Sequence, residues 1–216
     1  MILQSMTKNS LILGAFALLS VGLIAIFNAA TKSTIESEMQ AKMARTLNDI
    51  VPSSQYNNDV YHDCKILTGV DSLLGTSESK VYRMRYNNNP IAAVFTAVAP
   101  NGYSGKIELL LGVYADQTLA GVRVIEHNET PGLGDKIELR KSDWMLQFKG
   151  LSLANTPSEQ WKVTKDGGQF DAFTGATITP RAVLAAINKA LLFSQQEASK
   201  LFDDNNLCGG NNDRSS

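Results

Sequence analysis

The chain has 216 residues, room for one anchor and one domain of ordinary size, and a formal net charge of −1 with both signs interspersed. That balance leaves no electrostatic case for nucleic acid. With only two histidines, a nitrogen-rich metal site is not expected.

Residues 11–30, LILGAFALLSVGLIAIFNAA, carry no charge. A helix of that length at about 1.5 Å per residue spans about 30 Å, the thickness of a bilayer's hydrocarbon core. The rival reading is a cleaved signal peptide. Against it, the apolar region exceeds the usual length of about 7–15 residues and no clear A-x-A site follows. Lys8 on one side and Lys32, Lys42 and Arg45 on the other, mixed with Glu36 and Glu38, leave the orientation undecided by charge.

Residues 31–59 read as a stalk helix and a linker. Ile35, Met39, Met43 and Leu47 recur at every fourth position, Pro52 stops the run, and a polar stretch follows. The domain is expected over 60–202. Strands are predicted at Cys64–Leu67, Lys80–Tyr86, Ile91–Val98, Lys106–Val113 and Leu119–Glu126. Turns rather than helices separate them, so the fold class is α+β, with a twisted, mainly antiparallel sheet and flanking helices. A short helix at Asp143–Phe148, a short strand at Trp161–Thr164 and a long helix from Thr179 to about Phe202 complete the domain. Residues 203–216 read as a polar, disordered tail. Cys64 and Cys208 could pair in an oxidising compartment, and two separate thiols are the equal alternative.

Three loops carry chemical signals. In Asp171-Ala-Phe-Thr-Gly-Ala-Thr-Ile-Thr-Pro180, Thr179 is predicted to cap a helix whose first residue is Pro180. Thr174, Gly175, Ala176 and Thr177 then lie on the approach to a helix N-terminus, where free N–H groups and the dipole favour an anion such as phosphate. A capped helix behind an ordinary loop is the plainer reading. The second loop holds Tyr103 and Ser104 between Gly102 and Gly105, and the tyrosine can face a planar ligand or close the edge of the core. The third, His127 to Lys136, has half of a dinucleotide fingerprint in Gly132 and Gly134, without the third glycine or a βαβ unit. Pro131 and its glycines would let backbone approach a ring closely, or simply make a turn.

Taken together and in this order, Gly102-Tyr-Ser-Gly105, Glu129-Thr-Pro-Gly-Leu-Gly-Asp-Lys-Ile-Glu138 and Asp171-Ala-Phe-Thr-Gly-Ala-Thr-Ile-Thr-Pro180 resemble the G subunit of the Rnf-type ion-translocating electron transport complex of bacterial inner membranes. The resemblance runs from the anchor to the end of the final helix. It implies FMN carried through its phosphate as an ester on Thr177 and installed from FAD by a separate flavin transferase. Asp171, Thr174, Gly175 and Ala176 belong to the same acceptor motif. Tyr103, Ser104, Glu129, Thr130, Gly132, Leu133, Gly134 and Lys136 are expected to complete the flavin pocket, with Lys136 and Arg181 as candidate counter-charges. The resemblance also implies a single-pass protein of the inner membrane, with residues 1–10 in the cytoplasm and the domain in the periplasm. Its partners are then membrane lipid and the other membrane and peripheral subunits of the complex. The chain is expected to carry electrons and not to be an enzyme alone. It has no cysteine set for an iron–sulfur cluster, so electrons must pass to and from those subunits. The alternatives are the covalent-FMN C subunit of the sodium-pumping NADH:quinone reductase, an anchored binding module without cofactor, and a hydrolase with a Ser or Thr nucleophile.

Overall fold

The computed structural model describes residues 2–202. The expected tail at 203–216, and with it any pairing of Cys208 with Cys64, lies outside the described residues. The chain divides into two compact units, Met1–Arg45 and Thr46–Ser216.

Helix α1 (Ile2–Ile50) runs unbroken through the apolar stretch and the stalk. No proline falls inside it; Pro52 comes just after its end. It is long and apolar enough to cross a membrane, and Leu11, Phe16, Leu18 and Ile24 are exposed along it. Its last residues, from Thr46, belong to the second unit, where Leu47, Ile50 and Val51 are buried. That unit therefore begins earlier than the expected boundary at 60. The polar linker is also part of it: Asn58 accepts the Arg85 N–H (2.8 Å) and donates to the Arg83 carbonyl (2.9 Å), standing in for a further strand.

The sheet has five strands in sequence order, every neighbouring pair antiparallel: β1 (Cys64–Thr68), β2 (Glu78–Tyr86), β3 (Asn89–Gly102), β4 (Gly105–Tyr114) and β5 (Leu119–Glu126). A one-turn helix, α2 (Asp71–Leu74), too short to show a period, sits between β1 and β2. In β4, Ile107, Leu109, Leu110 and Leu111 are all fully buried, so the strand is covered on both faces and reads as a continuous apolar run. On one face lies α3 (Ile178–Gln196), whose Val183, Leu184, Ile187 and Leu191 share a core with Phe95, Leu109 and Leu111. The rings of Phe95 and Phe193 meet edge to face at 5.7 Å. On the other face Val94, Gly112 and Gly121 are cross-strand neighbours, and Ile50 fills the gap that the glycines leave.

Between β5 and α3 the described chain forms only short 3₁₀ turns, and an aromatic cluster holds it instead. Trp144, Phe148, Trp161, Phe170 and Phe173 pack ring on ring at centroid distances of 5.0–6.0 Å. The expected short helix Asp143–Phe148 is one of these 3₁₀ segments. The strand expected at Trp161–Thr164 does not form. The Trp161 indole donates to the Thr156 carbonyl (2.9 Å), Val163 makes a single bridge to Phe170, and Thr164–Asp166 turns as 3₁₀. Packing of the indole overrides the strand propensity there. The long final helix breaks at Glu197, and α4 (Ala198–Phe202) follows as a separate piece.

Candidate functional site

At one end of the sheet the β3–β4 turn, the loop after β5 and the approach to α3 come together. They enclose a cleft of about 250 Å³ lined by Tyr103, Glu129, Thr130, Leu133, Gly134, Gly175, Ala176, Thr177, Ile178 and Thr179. Small-molecule clefts usually run from about 300 to 1,000 Å³, so this one holds part of a cofactor-sized ligand rather than all of it.

Each wall has a local cause. Thr130-Pro131-Gly132-Leu133 closes on a bond from the Leu133 N–H to the Thr130 carbonyl (3.1 Å), with proline second and Gly132 third at φ 76°. That is the pattern of a type II turn, which needs a positive φ at its third residue. Gly132 therefore serves the turn tip. It lies outside the cleft lining, and it is Gly134 that reaches the cleft. Across from it, Phe173 to Ala176 closes a second turn (3.1 Å) with Gly175 at φ 79°. Phe173 belongs to the aromatic cluster and the Trp144 indole donates to the Asp171 carbonyl (2.9 Å), so the chain entering this turn is anchored. Tyr103 is 66% exposed at the hairpin tip, which excludes the core reading of its ring.

The three walls meet on one carboxylate. Glu129 is 4% exposed; its Oε1 accepts the Ser104 N–H (3.0 Å) and its Oε2 accepts the Thr179 hydroxyl. A Cβ on Gly102 would lie 2.9 Å from Oε1, and one on Gly134 would lie 2.9 Å from Oε2. At Gly134 the missing Cβ leaves room for the carboxylate and the Thr179 hydroxyl, whereas at Gly102 a Cβ would meet the Gly105 carbonyl oxygen first, at 2.4 Å. The Glu129 N–H donates to His127 Nδ1 (3.0 Å), which leaves the proton on Nε2, directed at Glu138 (3.0 Å). Arg140, bonded to Glu138, holds that carboxyl below the usual carboxylate range, with His127 contributing. Both ring nitrogens of His127 are thus engaged, which removes it as a base for a Ser or Thr nucleophile.

The helix start differs from the expected one. Thr179 is not the cap: it stands in the first turn of α3, 1% exposed, its hydroxyl turned to Glu129. The cap residue is Thr177, whose side chain makes no capping bond. Pro180 still falls in the first turn, where a missing N–H costs nothing. The first intrahelical donor is Arg181, so the amides of Ile178 and Thr179 precede the helix ladder. Arg181 itself is held by Asp166 through two bonds of 2.6 and 2.7 Å, a bidentate pair facing solvent rather than the cleft. Ser104, Lys136, Asp171 and Thr174 also lie outside the cleft lining. Ser104 acts through its backbone. The Lys136 and Asp171 carbonyls accept from Ser142 and Trp144, and Thr174 is exposed on its turn. Ile178 and Thr179 line the cleft without having been singled out for it. For Thr179 the signal was there, but its hydroxyl reads as a cap when helix register is uncertain.

Residues 102–192, which contain every part of this cleft, match the family described as FMN-binding domain, and residues 1–50 match the RnfG N-terminal region. The G subunit of the ion-translocating oxidoreductase complex of Pseudoalteromonas atlantica is 47% identical over 95% of this chain and 95% of its own. The Escherichia coli K12 protein of the same name is 44% identical over 92% and 96%. The chain belongs to the family of G subunits of ion-translocating oxidoreductase complexes. The Vibrio cholerae member is 42% identical over 96% of this chain and 99% of its own. Among solved structures, the C subunit of the Na⁺-translocating NADH-quinone reductase from Parabacteroides distasonis is 18% identical, with a TM-score of 0.42, over 66% of this chain and 78% of that one. That likeness is too slight to carry weight. The C-subunit reading is not favoured, because the chain's relatives over nearly its whole length are G subunits.

Proposed function

We propose that the chain is a membrane-anchored electron carrier of an ion-translocating oxidoreductase complex, with FMN esterified through its phosphate to Thr177. The observation that carries this is Thr177 itself: a hydroxyl without a capping bond, in the wall of a cleft, at the start of a long helix. The residues present fit such a group. The amides of Ile178 and Thr179 and the positive end of the α3 dipole suit the one negative charge a phosphodiester keeps. No lysine or arginine lines the cleft, so the helix start supplies that compensation where Arg181 and Lys136 were expected to. Tyr103, Leu133 and Ile178 are 66%, 41% and 45% exposed around it, an apolar rim suited to a flat ring. FMN, when bound, supplies one- and two-electron transfer, and the pocket rather than the ester tunes it.

The partners in this reading are the other subunits of the complex, as the relatives' names imply, and a flavin transferase that installs the group. Peptide mapping of the full chain coexpressed with a flavin transferase is expected to find one FMN less one water on Thr177. An adduct on Thr174 or Thr179, or none, defeats the reading. Thr177→Val is expected to abolish attachment at a stability cost of about 1 kcal/mol. The domain is placed in the periplasm in the same reading, with α1 crossing the inner membrane once. A reporter joined after Phe202 should be active only outside the cytoplasm, and a signal from a cytoplasm-only reporter overturns that topology.

A further inference from the structure

The Glu129 carboxylate is the one buried anion in the lining of the cleft, and the electron carrier just proposed does not use it. Both of its oxygens are engaged, Oε1 accepting a backbone N–H that can only donate and Oε2 meeting the Thr179 hydroxyl. Among the described residues no cation forms an ion pair with it, and Arg140, Lys141 and Arg181 pair instead with Glu138, Asp135 and Asp166. Its surroundings hold it tightly, with its own N–H on His127 and the backbone of Gly102 and Gly134 close enough to exclude a Cβ on either.

From this we infer that Glu129 is a positioning residue with an electrostatic task, resting on the reading that FMN is carried on Thr177. It ties the hairpin tip, the 129–134 turn and the first turn of α3 into one frame. Its charge, uncompensated by any cation and shielded from water, also lowers the reduction potential of a flavin seated in the cleft. An added electron raises negative charge beside a fixed negative charge, and low polarity strengthens that repulsion. A carboxylate serving only to join loops would do so equally well as an amide. Glutamine at 129 keeps an oxygen for Ser104 and presents its NH₂ to a Thr179 hydroxyl that can turn to accept.

The test is a spectroelectrochemical titration of the full chain, coexpressed with a flavin transferase, as wild type, Glu129→Gln and Glu129→Ala. Glu129→Gln is expected to load flavin fully, melt as the wild type does and titrate at a more positive midpoint potential. Glu129→Ala, which loses both ties, is expected to melt lower and load less. A loaded, stable Glu129→Gln protein with an unchanged or more negative midpoint overturns the electrostatic assignment while leaving the carrier reading intact. Wild-type protein without flavin on Thr177 overturns both. Should Glu129→Gln fail to load, Glu129→Asp and Glu129→Asn, a pair of equal size that differs in charge, decide the matter. The asparagine form must have the higher midpoint, and equal midpoints reject the assignment.

Discussion

Two glycines of one loop, two positions apart, have different physical reasons to be glycine. Gly132 needs a positive φ at a turn tip, with nothing within 4 Å of an added Cβ. Gly134 has an unexceptional φ, but a Cβ there would meet Thr179 Oγ1 at 2.8 Å and Glu129 Oε2 at 2.9 Å. From sequence the two look alike, and close approach to a ring is the natural expectation for both. Only the register of the turn separates them. Gly132→Ala is expected to cost about 1–2 kcal/mol, the strain of a left-handed backbone, and to leave flavin attachment unchanged. Gly134→Ala is expected to cost about 1–3 kcal/mol by overpacking and to reduce attachment, because it pushes on the frame around Thr177. Chemical denaturation with flavin quantitation checks both. Equal loading in the two variants would show that Gly134 is only a packing residue.

At the scale of elements, the strands were readable because the sheet is a meander of antiparallel hairpins. Asn-Asn-Asn-Pro and Gly-Tyr-Ser-Gly mark the β2–β3 and β3–β4 hairpins and β5 falls on the predicted bounds Leu119–Glu126, while β3 runs on to Gly102, past the expected Val98. The region from 127 to 177 was not readable in the same way. Its order comes from five aromatic rings meeting in space, and ring packing has no sequence period. The pairing of α1's last turn with the outer sheet face was equally hidden. A Cβ on Gly112 would stand 2.2 Å from Ile50 Cγ2, so knob and hole lie far apart in sequence and form one packing unit. Gly112→Ala alone is expected to cost about 1–3 kcal/mol and Ile50→Ala alone about 2–5 kcal/mol. Combined, they should cost clearly less than the sum, because the alanine at 50 vacates the space that the new methyl needs. Additive losses would mean that the two sites do not share that space.

For the whole molecule, the telling question is where the domain begins. Composition places the boundary near 60, after a polar stretch, since Ser53 to Asp59 looks like a spacer and the stalk looks like a solvated helix. In the structure the compact unit starts at Thr46, and Leu47, Ile50 and Val51 are 2%, 1% and 0% exposed within it. The periodic apolar positions of the stalk are thus shared out: Ile35 and Met39 are exposed, and Leu47 is core. A period says which face a helix would bury and not where along its length burial begins. Each of the three buried side chains is worth about 1.5–3 kcal/mol of transfer free energy, as an upper estimate, against a net stability of about 5–15 kcal/mol for a domain. A chain shortened to begin at Thr46 is therefore expected to be soluble, to unfold cooperatively and to accept flavin from a coexpressed transferase. One shortened to begin at Val60 loses Ile50 and so uncovers the gap at Gly112 and Gly121 that it fills. It is expected to aggregate or to melt far lower. Thermal melts and flavin loading of the two shortened chains decide between the boundaries. Equal behaviour would mean that the end of α1 rests on the sheet without stabilising it.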